Sequence, residues 1–170
     1  MKKLILISLV FLTPLLSRAR QADTTSHTKI GDTAPAFDFS ISKDQKVNLK
    51  DYRGKIVMIN FFATWCAPCR LELPRVQKEI WEKYKDNPKF SLFIFGREEG
   101  WNVVLPFKEK NQYTFLMLPD EGRKVFSLFA TQSIPRNVVL DEDGKIIYQS
   151  IGYSEKDFNE LLNLLAERLN

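Results

Sequence analysis

A buried strand that leads directly into two closely spaced cysteines is the feature that most limits the folds open to this chain. Ile56–Phe62 is nearly all apolar, and most of its residues are β-branched or aromatic, which predicts a strand covered on both faces of a sheet. Cys66 and Cys69 follow, and residues 68–84 predict a helix. A strand, a cysteine turn and a helix in this order predict an α/β domain whose thiols lie at a helix N-terminus.

The rest of the chain alternates between strand and helix patterns. Strands are predicted at 36–41, 46–49, 90–95, 115–118, 137–140 and 145–151, and helices at 103–111, at 123–129 and from Ser154 onward. Strand-helix-strand units require parallel pairing, whereas the last two strands predict an antiparallel hairpin across residues 141–144. The sequence therefore predicts an α/β domain over residues 31–170, with a mixed central sheet, helices on both faces and an N-terminal β-hairpin extension.

Residues 1–19 have the three-part pattern of a secretory signal peptide. Lys2 and Lys3 precede a largely apolar run at residues 4–16, and small residues up to Ala19 suit cleavage, with Ala22 as a second position. The run is shorter than the roughly 20 residues of a membrane span, and retention as an N-terminal anchor is the alternative. Residues 20–30 are polar without periodicity and predict a flexible leader. The expected location is the periplasm or another extracytoplasmic space.

The signal peptide also accounts for the basic charge of the chain. The full sequence carries 25 Lys and Arg against 21 Asp and Glu, a net charge of +4. Three of the basic residues and none of the acidic ones lie in residues 1–19, so the remaining chain has 22 basic residues. No excess of positive charge is left to favour nucleic acid or an anionic lipid surface.

Two cysteines among 170 residues do not form a disulfide scaffold, which favours a reactive role for them. The partial positive charge and free N–H groups of a helix N-terminus favour a thiolate there. Cys66 has the more exposed place and is predicted to be the nucleophile, while Cys69 follows one turn later and resolves the mixed disulfide. Pro68 fits the first helical turn because its missing N–H would have no partner there.

A zinc site is the main alternative for a Cys-x-x-Cys pair, but zinc takes about four ligands. The chain has no third cysteine, and its one histidine, His27, lies in the predicted leader. The same isolation argues against a Cys-His or Ser-His catalytic pair. We therefore expect no metal and no cofactor beyond a redox-active Cys66–Cys69 disulfide.

The residues around the cysteines resemble a known family. Residues 60–70, Asn-Phe-Phe-Ala-Thr-Trp-Cys-Ala-Pro-Cys-Arg, resemble the active-site segment of thioredoxins, and Pro74 follows as it does there. Residues 31–37, 49–55 and 134–145 are similar to the TlpA/ResA-like extracytoplasmic branch, which is related to the AhpC/TSA and Redoxin proteins. The resemblance covers residues 31–169 and implies a thioredoxin fold with thiol-disulfide oxidoreductase activity.

The resemblance also implies roles for residues near the cysteines. Pro135 would be a cis-proline facing the cysteine pair, and the backbone of Ile134 would bond an incoming peptide. An ordinary trans-proline in a loop is the alternative. Trp65 would shield the Cys66 sulfur and contact substrate, and Ala67 and Pro68 would complete the substrate-binding surface. Pro74 would kink the active-site helix.

This chain departs from the thioredoxin pattern at a residue that transfers protons. Thioredoxins carry a buried aspartate six residues before the first cysteine, and this chain has Asn60 there, which cannot take a proton. The TlpA/ResA-like branch places a glutamate three residues after the second cysteine, where this chain has Glu72. Glu72 is therefore predicted to transfer protons or tune a thiol pKa near Cys69. The alternative is a solvated carboxylate on the outside of a helix.

The family resemblance favours a monomeric reductase of exported protein substrates, such as apocytochrome c cysteines, supplied with electrons by a membrane-embedded thiol donor. An oxidase or isomerase is the first alternative. A peroxiredoxin-like thiol peroxidase is the second, although Ala63 stands where such enzymes need threonine or serine. A non-enzymatic thioredoxin-fold binding module is the third, although such modules often lose a cysteine or the cis-proline.

Overall fold

The computed structural model describes residues 23–170. The predicted signal peptide and the start of the predicted leader lie outside the described residues. The strands are β1 (Asp38–Ser40), β2 (Lys46–Asn48), β3 (Ile56–Phe62), β4 (Phe90–Arg97), β5 (Leu116–Asp120), β6 (Arg136–Leu140) and β7 (Ile146–Ile151). The helices are α1 (Ala67–Arg75), α2 (Glu82–Tyr84), α3 (Trp101–Lys110), α4 (Phe126–Phe129) and α5 (Glu155–Leu169). A π-helical segment, Val76–Trp81, joins α1 to α2.

Five strands form the central sheet in the order β5-β4-β3-β6-β7. β3 pairs with β4 in parallel and with β6 in antiparallel orientation, so it lies in the middle of a mixed sheet. The hairpin of β6 and β7 closes one edge, and β5 closes the other. This is the predicted thioredoxin fold.

The side chains of β3 alternate between two apolar cores, one on each face of the sheet. Met58 packs with α1, α3 and α5, whereas Ile59 and Phe61 pack with α4 and the N-terminal residues of the domain. All seven residues of β3 are buried. Because the strand is covered on both faces, its end holds the residues that follow it in a fixed place.

The predicted N-terminal hairpin is a separate two-stranded sheet of β1 and β2. A 3-10 helix, Leu49–Tyr52, follows it and is closed at its start by Asn48, whose side chain accepts from the backbone of Lys50. Phe37, Phe39 and Leu49 pack the extension onto the central sheet. The hairpin thus covers one face of the sheet on the side away from α1.

The described part of the predicted leader lies against the domain. Ser26 forms a β-bridge with Ala130, and the backbone N–H of His27 donates to the carbonyl of Phe129 at 2.8 Å. Polar groups rather than an apolar pattern hold this segment, so hydrophobic periodicity did not indicate it. Within residues 23–170, no helix is long and apolar enough to cross a membrane.

Candidate active site

The two cysteines form a disulfide at the start of α1, with their Cα atoms 5.3 Å apart. Cys66 is the N-cap residue of the helix, and its Sγ accepts a hydrogen bond from the backbone N–H of Cys69 at 3.3 Å. Pro68 lies in the first helical turn, as the sequence predicted. The helix N-terminus therefore directs an N–H donor at the Cys66 sulfur, an arrangement that favours negative charge there.

Cys66 reaches the surface through a shallow groove. Cys66 is 4% exposed and Cys69 is fully buried, so the first cysteine is the accessible one. Trp65 is 65% exposed beside it. The groove has a volume of about 400 Å³ and is lined by Trp65, Cys66, Ala67, Pro68, Arg97, Ser133 and Ile134. All four residues that the sequence placed on the substrate-binding surface line this groove.

The proline loop, residues 131–135, faces the disulfide. The peptide bond between Ile134 and Pro135 is cis. Pro135 is buried, and the carbonyl oxygen of Ile134 lies 3.8 Å from Cys66 Sγ. The structure therefore brings Cys66, Ile134 and Pro135 together, as the family resemblance implied.

Glu72 lies on the buried side of α1 and is only 2% exposed. Its two carboxylate oxygens accept from Asn60 Nδ2 at 2.9 Å and from Asn137 Nδ2 at 2.6 Å. Its place three residues after Cys69 puts both side chains on the same helix face. Glu72 is a buried carboxylate, and the alternative of a solvated helix residue does not describe it.

Burial raises the pKa of Glu72 from 4.5 to about 7, and the hydrogen bonds from Asn137 and Asn60 oppose that rise. Desolvation wins because it penalises the charged form more than two amide donors stabilise it. A carboxyl with this pKa gains and loses its proton near neutral pH. It can therefore give or take a proton inside the protein, which an exposed glutamate at this pH does not do.

The amide partners of Glu72 come from a polar row across the sheet. Asn60 on β3 pairs in register with Asn137 on β6, which in turn pairs with Ser150 on β7. Asn60 Nδ2 donates to Asn137 Oδ1 at 2.8 Å, and Asn137 Nδ2 lies 3.3 Å from Ser150 Oγ. Sequence analysis identified Asn60 but missed Asn137, because only the strand register shows that the two are opposite each other.

Glu99 is a second buried carboxylate that sequence analysis missed. It is 6% exposed, and it accepts from the Thr64 N–H at 2.9 and 3.1 Å and from the Thr64 hydroxyl at 2.7 Å. These bonds hold the turn between β3 and Cys66. The run Arg97-Glu98-Glu99 gave no signal of which carboxylate points inward, because a positive φ of 64° at Glu98 redirects the chain there.

Arg97 forms the far wall of the groove. Its guanidinium lies over the Trp65 ring at 5.7 Å and pairs with Glu98 at 3.2 Å. Its Nε is buried and has no hydrogen-bond acceptor among residues 23–170. The cation–π contact orients Trp65 beside the cysteines.

Within the described part of the chain, no three His, Cys, Asp or Glu residues come together as a metal-ligand set.

Comparison with known proteins also finds thiol-disulfide oxidoreductases and thioredoxin-like proteins. A model of the AhpC/TSA family matches residues 30–149. The thiol-disulfide oxidoreductase ResA of Bacillus thuringiensis (strain Al Hakam) is 32% identical over 129 residues, which cover 76% of this chain and 73% of ResA. The thioredoxin-like protein YneN of Bacillus subtilis is 32% identical over 136 residues, or 79% of each chain.

Solved structures agree with the fold. A Bacteroides thetaiotaomicron protein described as a candidate protein disulfide isomerase has a TM-score of 0.81 and 36% identity, covering 85% of this chain and 92% of that one. StoA from Bacillus subtilis has a TM-score of 0.62 at 20% identity, covering 76% and 97%, and supports the fold alone. With its Cys66–Cys69 disulfide at the N-terminus of α1, this chain belongs to the AhpC/TSA family as a ResA/TlpA-like thiol-disulfide oxidoreductase of the thioredoxin superfamily.

Proposed function

We propose that this chain works outside the cytoplasm as a reductase of disulfides in exported proteins. The observation that carries the proposal is the accessible Cys66 sulfur, which faces the Ile134 backbone before a cis-proline while Cys69 lies buried behind it. A substrate strand can lie along Ile134 with its disulfide at Cys66. Hydrogen bonds between the substrate backbone and the Ile134 backbone would give affinity without requiring a particular amino-acid sequence in the substrate.

The exchange takes two steps. The Cys66 thiolate attacks one sulfur of the substrate disulfide, which forms a mixed disulfide and releases the other substrate sulfur as a thiolate. The Cys69 thiolate then attacks Cys66 Sγ, which closes the Cys66–Cys69 disulfide and releases the second substrate thiolate. Two electrons pass from the enzyme dithiol to the substrate. A membrane-embedded thiol donor would reduce the enzyme again.

In this proposal, Glu72 accepts the proton that the Cys69 thiol loses before it attacks. Cys69 is buried and must lose a proton before it attacks, and Glu72 lies one helical turn further on the same face. A Glu72→Gln variant keeps the shape but cannot accept the proton. We expect a lower thiol pKa for Cys69, because the variant removes a nearby negative charge, and slower resolution of the mixed disulfide, because the proton acceptor is lost. Unchanged thiol pKa values and exchange rates would contradict this role.

Reduction is favoured over oxidation by the residues between the cysteines. Ala67 and Pro68 provide no cation to stabilise the reduced form, whereas strong oxidants stabilise it. We expect a reduction potential below about −200 mV, against about −120 mV for the oxidant DsbA. Equilibration with a thiol buffer of known potential measures it, and a value near that of DsbA would overturn the assignment.

The central experiment is reduction of insulin disulfides by the chain in the presence of a dithiol. Wild type is expected to accelerate precipitation of the insulin B chain, and Cys66→Ser is expected to lose that acceleration. Equal rates for the two proteins would support a binding module instead. A parallel reaction with hydrogen peroxide tests the peroxidase alternative, for which Thr64 is poorly placed because its hydroxyl already donates to Glu99.

Export is tested with the full chain fused to alkaline phosphatase, which becomes active only where disulfides form. We expect activity outside the cytoplasm and an N-terminus beginning after Ala19 or Ala22. A fusion that is inactive and intact would overturn the extracytoplasmic location. The proposed apocytochrome c substrates are tested separately, by reduction of a disulfide-bonded Cys-x-x-Cys-His peptide.

A further inference from the structure

We propose that Arg136 is a positioning residue through which the leader holds the proline loop at the active site. The proposal rests on the disulfide exchange proposed above, because the proline loop carries the backbone that would bind substrate. The leader residues involved are 23–26, named the strap here. Three sets of contacts carry the argument.

Arg136 is the first residue of β6 and is 3% exposed. Its Nε donates to the carbonyl oxygens of Gln132 and Ser133, each at 3.0 Å. Both carbonyls belong to the proline loop and directly precede Ile134. The Nε–H is thus shared between two loop carbonyls, which leaves the Nη1 and Nη2 donors of the same planar group for other partners, an arrangement that lysine cannot reproduce.

The other end of the same guanidinium holds the strap. Its Nη1 donates to Ser26 Oγ at 2.7 Å, and its Nη2 donates to Thr25 Oγ1. The backbone adds a direct link, since the N–H of Thr131 donates to the carbonyl of Thr25 at 2.9 Å. The Thr131 hydroxyl donates to the same carbonyl at 3.3 Å. The strap and the proline loop thus share one buried cation and two hydrogen bonds to the Thr25 carbonyl.

Asp23 sets the direction of the strap hydroxyls. Its carboxylate accepts from the Thr25 hydroxyl at 2.6 Å and from the Ser26 hydroxyl. A hydroxyl has one hydrogen to donate and lone pairs left to accept. Because both hydrogens point at Asp23, both oxygens are free to accept from Arg136. The buried guanidinium is in this way paired with an exposed carboxylate through two hydroxyls.

The proline loop needs such support because Ser133 has a φ of 71°. A non-glycine residue adopts this left-handed conformation only where its surroundings hold it. Ile134, the next residue, presents its carbonyl 3.8 Å from Cys66 Sγ. If the loop is ordered before substrate arrives, binding does not have to supply the cost of ordering it. The strap therefore acts on substrate affinity through Arg136 and not on the cysteines themselves.

The test compares two leader variants of the full chain. Thr25→Ala/Ser26→Ala removes the two strap hydroxyls that accept from Arg136. The matched control, Thr28→Ala, removes a leader hydroxyl that accepts from Gln149 Nε2 at 2.8 Å. We expect the double variant to raise the KM for insulin about three- to tenfold with little change in kcat. Reduction of the Cys66–Cys69 disulfide by a small dithiol should stay within about twofold, since a small reagent does not use the Ile134 backbone.

Hydrogen exchange separates this proposal from the proposed function. Amides of residues 131–134 are expected to exchange about tenfold faster in the double variant and at the wild-type rate in Thr28→Ala. The proposed role of the strap is overturned if the amides of residues 131–134 exchange at the wild-type rate in the double variant, or if Thr28→Ala accelerates their exchange equally. An inactive wild type overturns the proposed reductase instead, and the exchange data still decide whether the strap holds the loop.

Discussion

Asn137 Nδ2 donates a 2.6 Å hydrogen bond to Glu72 Oε1 although the two residues lie 65 positions apart in the chain. The bond joins α1 to the middle of the sheet next to the cysteine pair. It partly offsets the burial that raises the pKa of Glu72 to about 7. The fold therefore keeps a carboxyl that titrates near neutral pH inside the protein, where its ionisation lowers stability.

Glu72→Gln should change how stability depends on pH. A carboxyl whose pKa is 4.5 unfolded and about 7 folded stabilises the folded state below pH 4.5, and that contribution is lost as pH rises to 7. The stability of wild type relative to the variant should therefore fall by about 3 kcal/mol between pH 4 and pH 8. Urea unfolding of the oxidised proteins at both pH values measures it.

Glu167→Gln is the matched control for this measurement. Glu167 is exposed on α5, so its substitution should leave the pH dependence unchanged within about 0.5 kcal/mol. A Glu72→Gln protein that follows wild type at both pH values would show that the Glu72 carboxyl titrates as in an unfolded chain.

Asn60→Asp should create a pair of carboxyls that share a proton. Asn60 Nδ2 lies 2.9 Å from Glu72 Oε2, and two carboxyls at that distance cannot both ionise without strong repulsion. The variant should lose about 1 to 3 kcal/mol of stability relative to wild type at pH 9, and much less at pH 5. Urea unfolding at both pH values tests this, with Asn163→Asp on the exposed face of α5 as the control. Equal losses at the two pH values would contradict it.

The sequence predicted those parts of the fold that depend on local pattern. The strand Ile56–Phe62 was predicted with its observed bounds, because an apolar β-branched run allows little else. The helix predicted for residues 68–84 is present as α1, the π-helical segment and α2. The change of helix type could not be predicted, although it begins two residues after Pro74, which lacks the N–H that an α-helix needs. β5 extends through Pro119 because an edge strand tolerates proline.

The parts that could not be predicted depend on residues far apart in the chain. Cys66 and Cys69 were found by their spacing at a strand-helix junction, and Glu72 was found by the family resemblance. Asn137 was not, because its contact with Glu72 depends on the register between β3 and β6. The leader was predicted to be flexible because it has no apolar periodicity, whereas Arg136 holds it by hydrogen bonds that no periodicity shows.

Glu99→Gln should loosen the turn before Cys66. The Glu99 carboxylate accepts from both the N–H and the hydroxyl of Thr64, and an amide has one acceptor oxygen where the carboxylate has two. We expect a loss of about 1 to 2 kcal/mol in the free energy of unfolding and faster exchange of the Thr64 amide.

Glu98→Gln is the matched control, since its ion pairs with Arg97 and Arg123 lie near the surface and should contribute less than about 1 kcal/mol. Equal losses for the two variants would contradict a special role for Glu99.

The unequal burial of the two cysteines predicts opposite results for their serine variants. Cys66 is the accessible thiol and Cys69 is fully buried, so only Cys66 can meet a protein disulfide. Cys69→Ser should still attack but cannot resolve, and it should accumulate mixed disulfides on Cys66 that dithiol treatment releases. Cys66→Ser should accumulate none, because a substrate sulfur cannot reach Cys69 through the groove. Non-reducing electrophoresis followed by mass spectrometry of the trapped partners measures both. Equal trapping by the two variants would mean that the buried thiol becomes accessible on reduction, and the assignment of nucleophile and resolving cysteine would then be wrong.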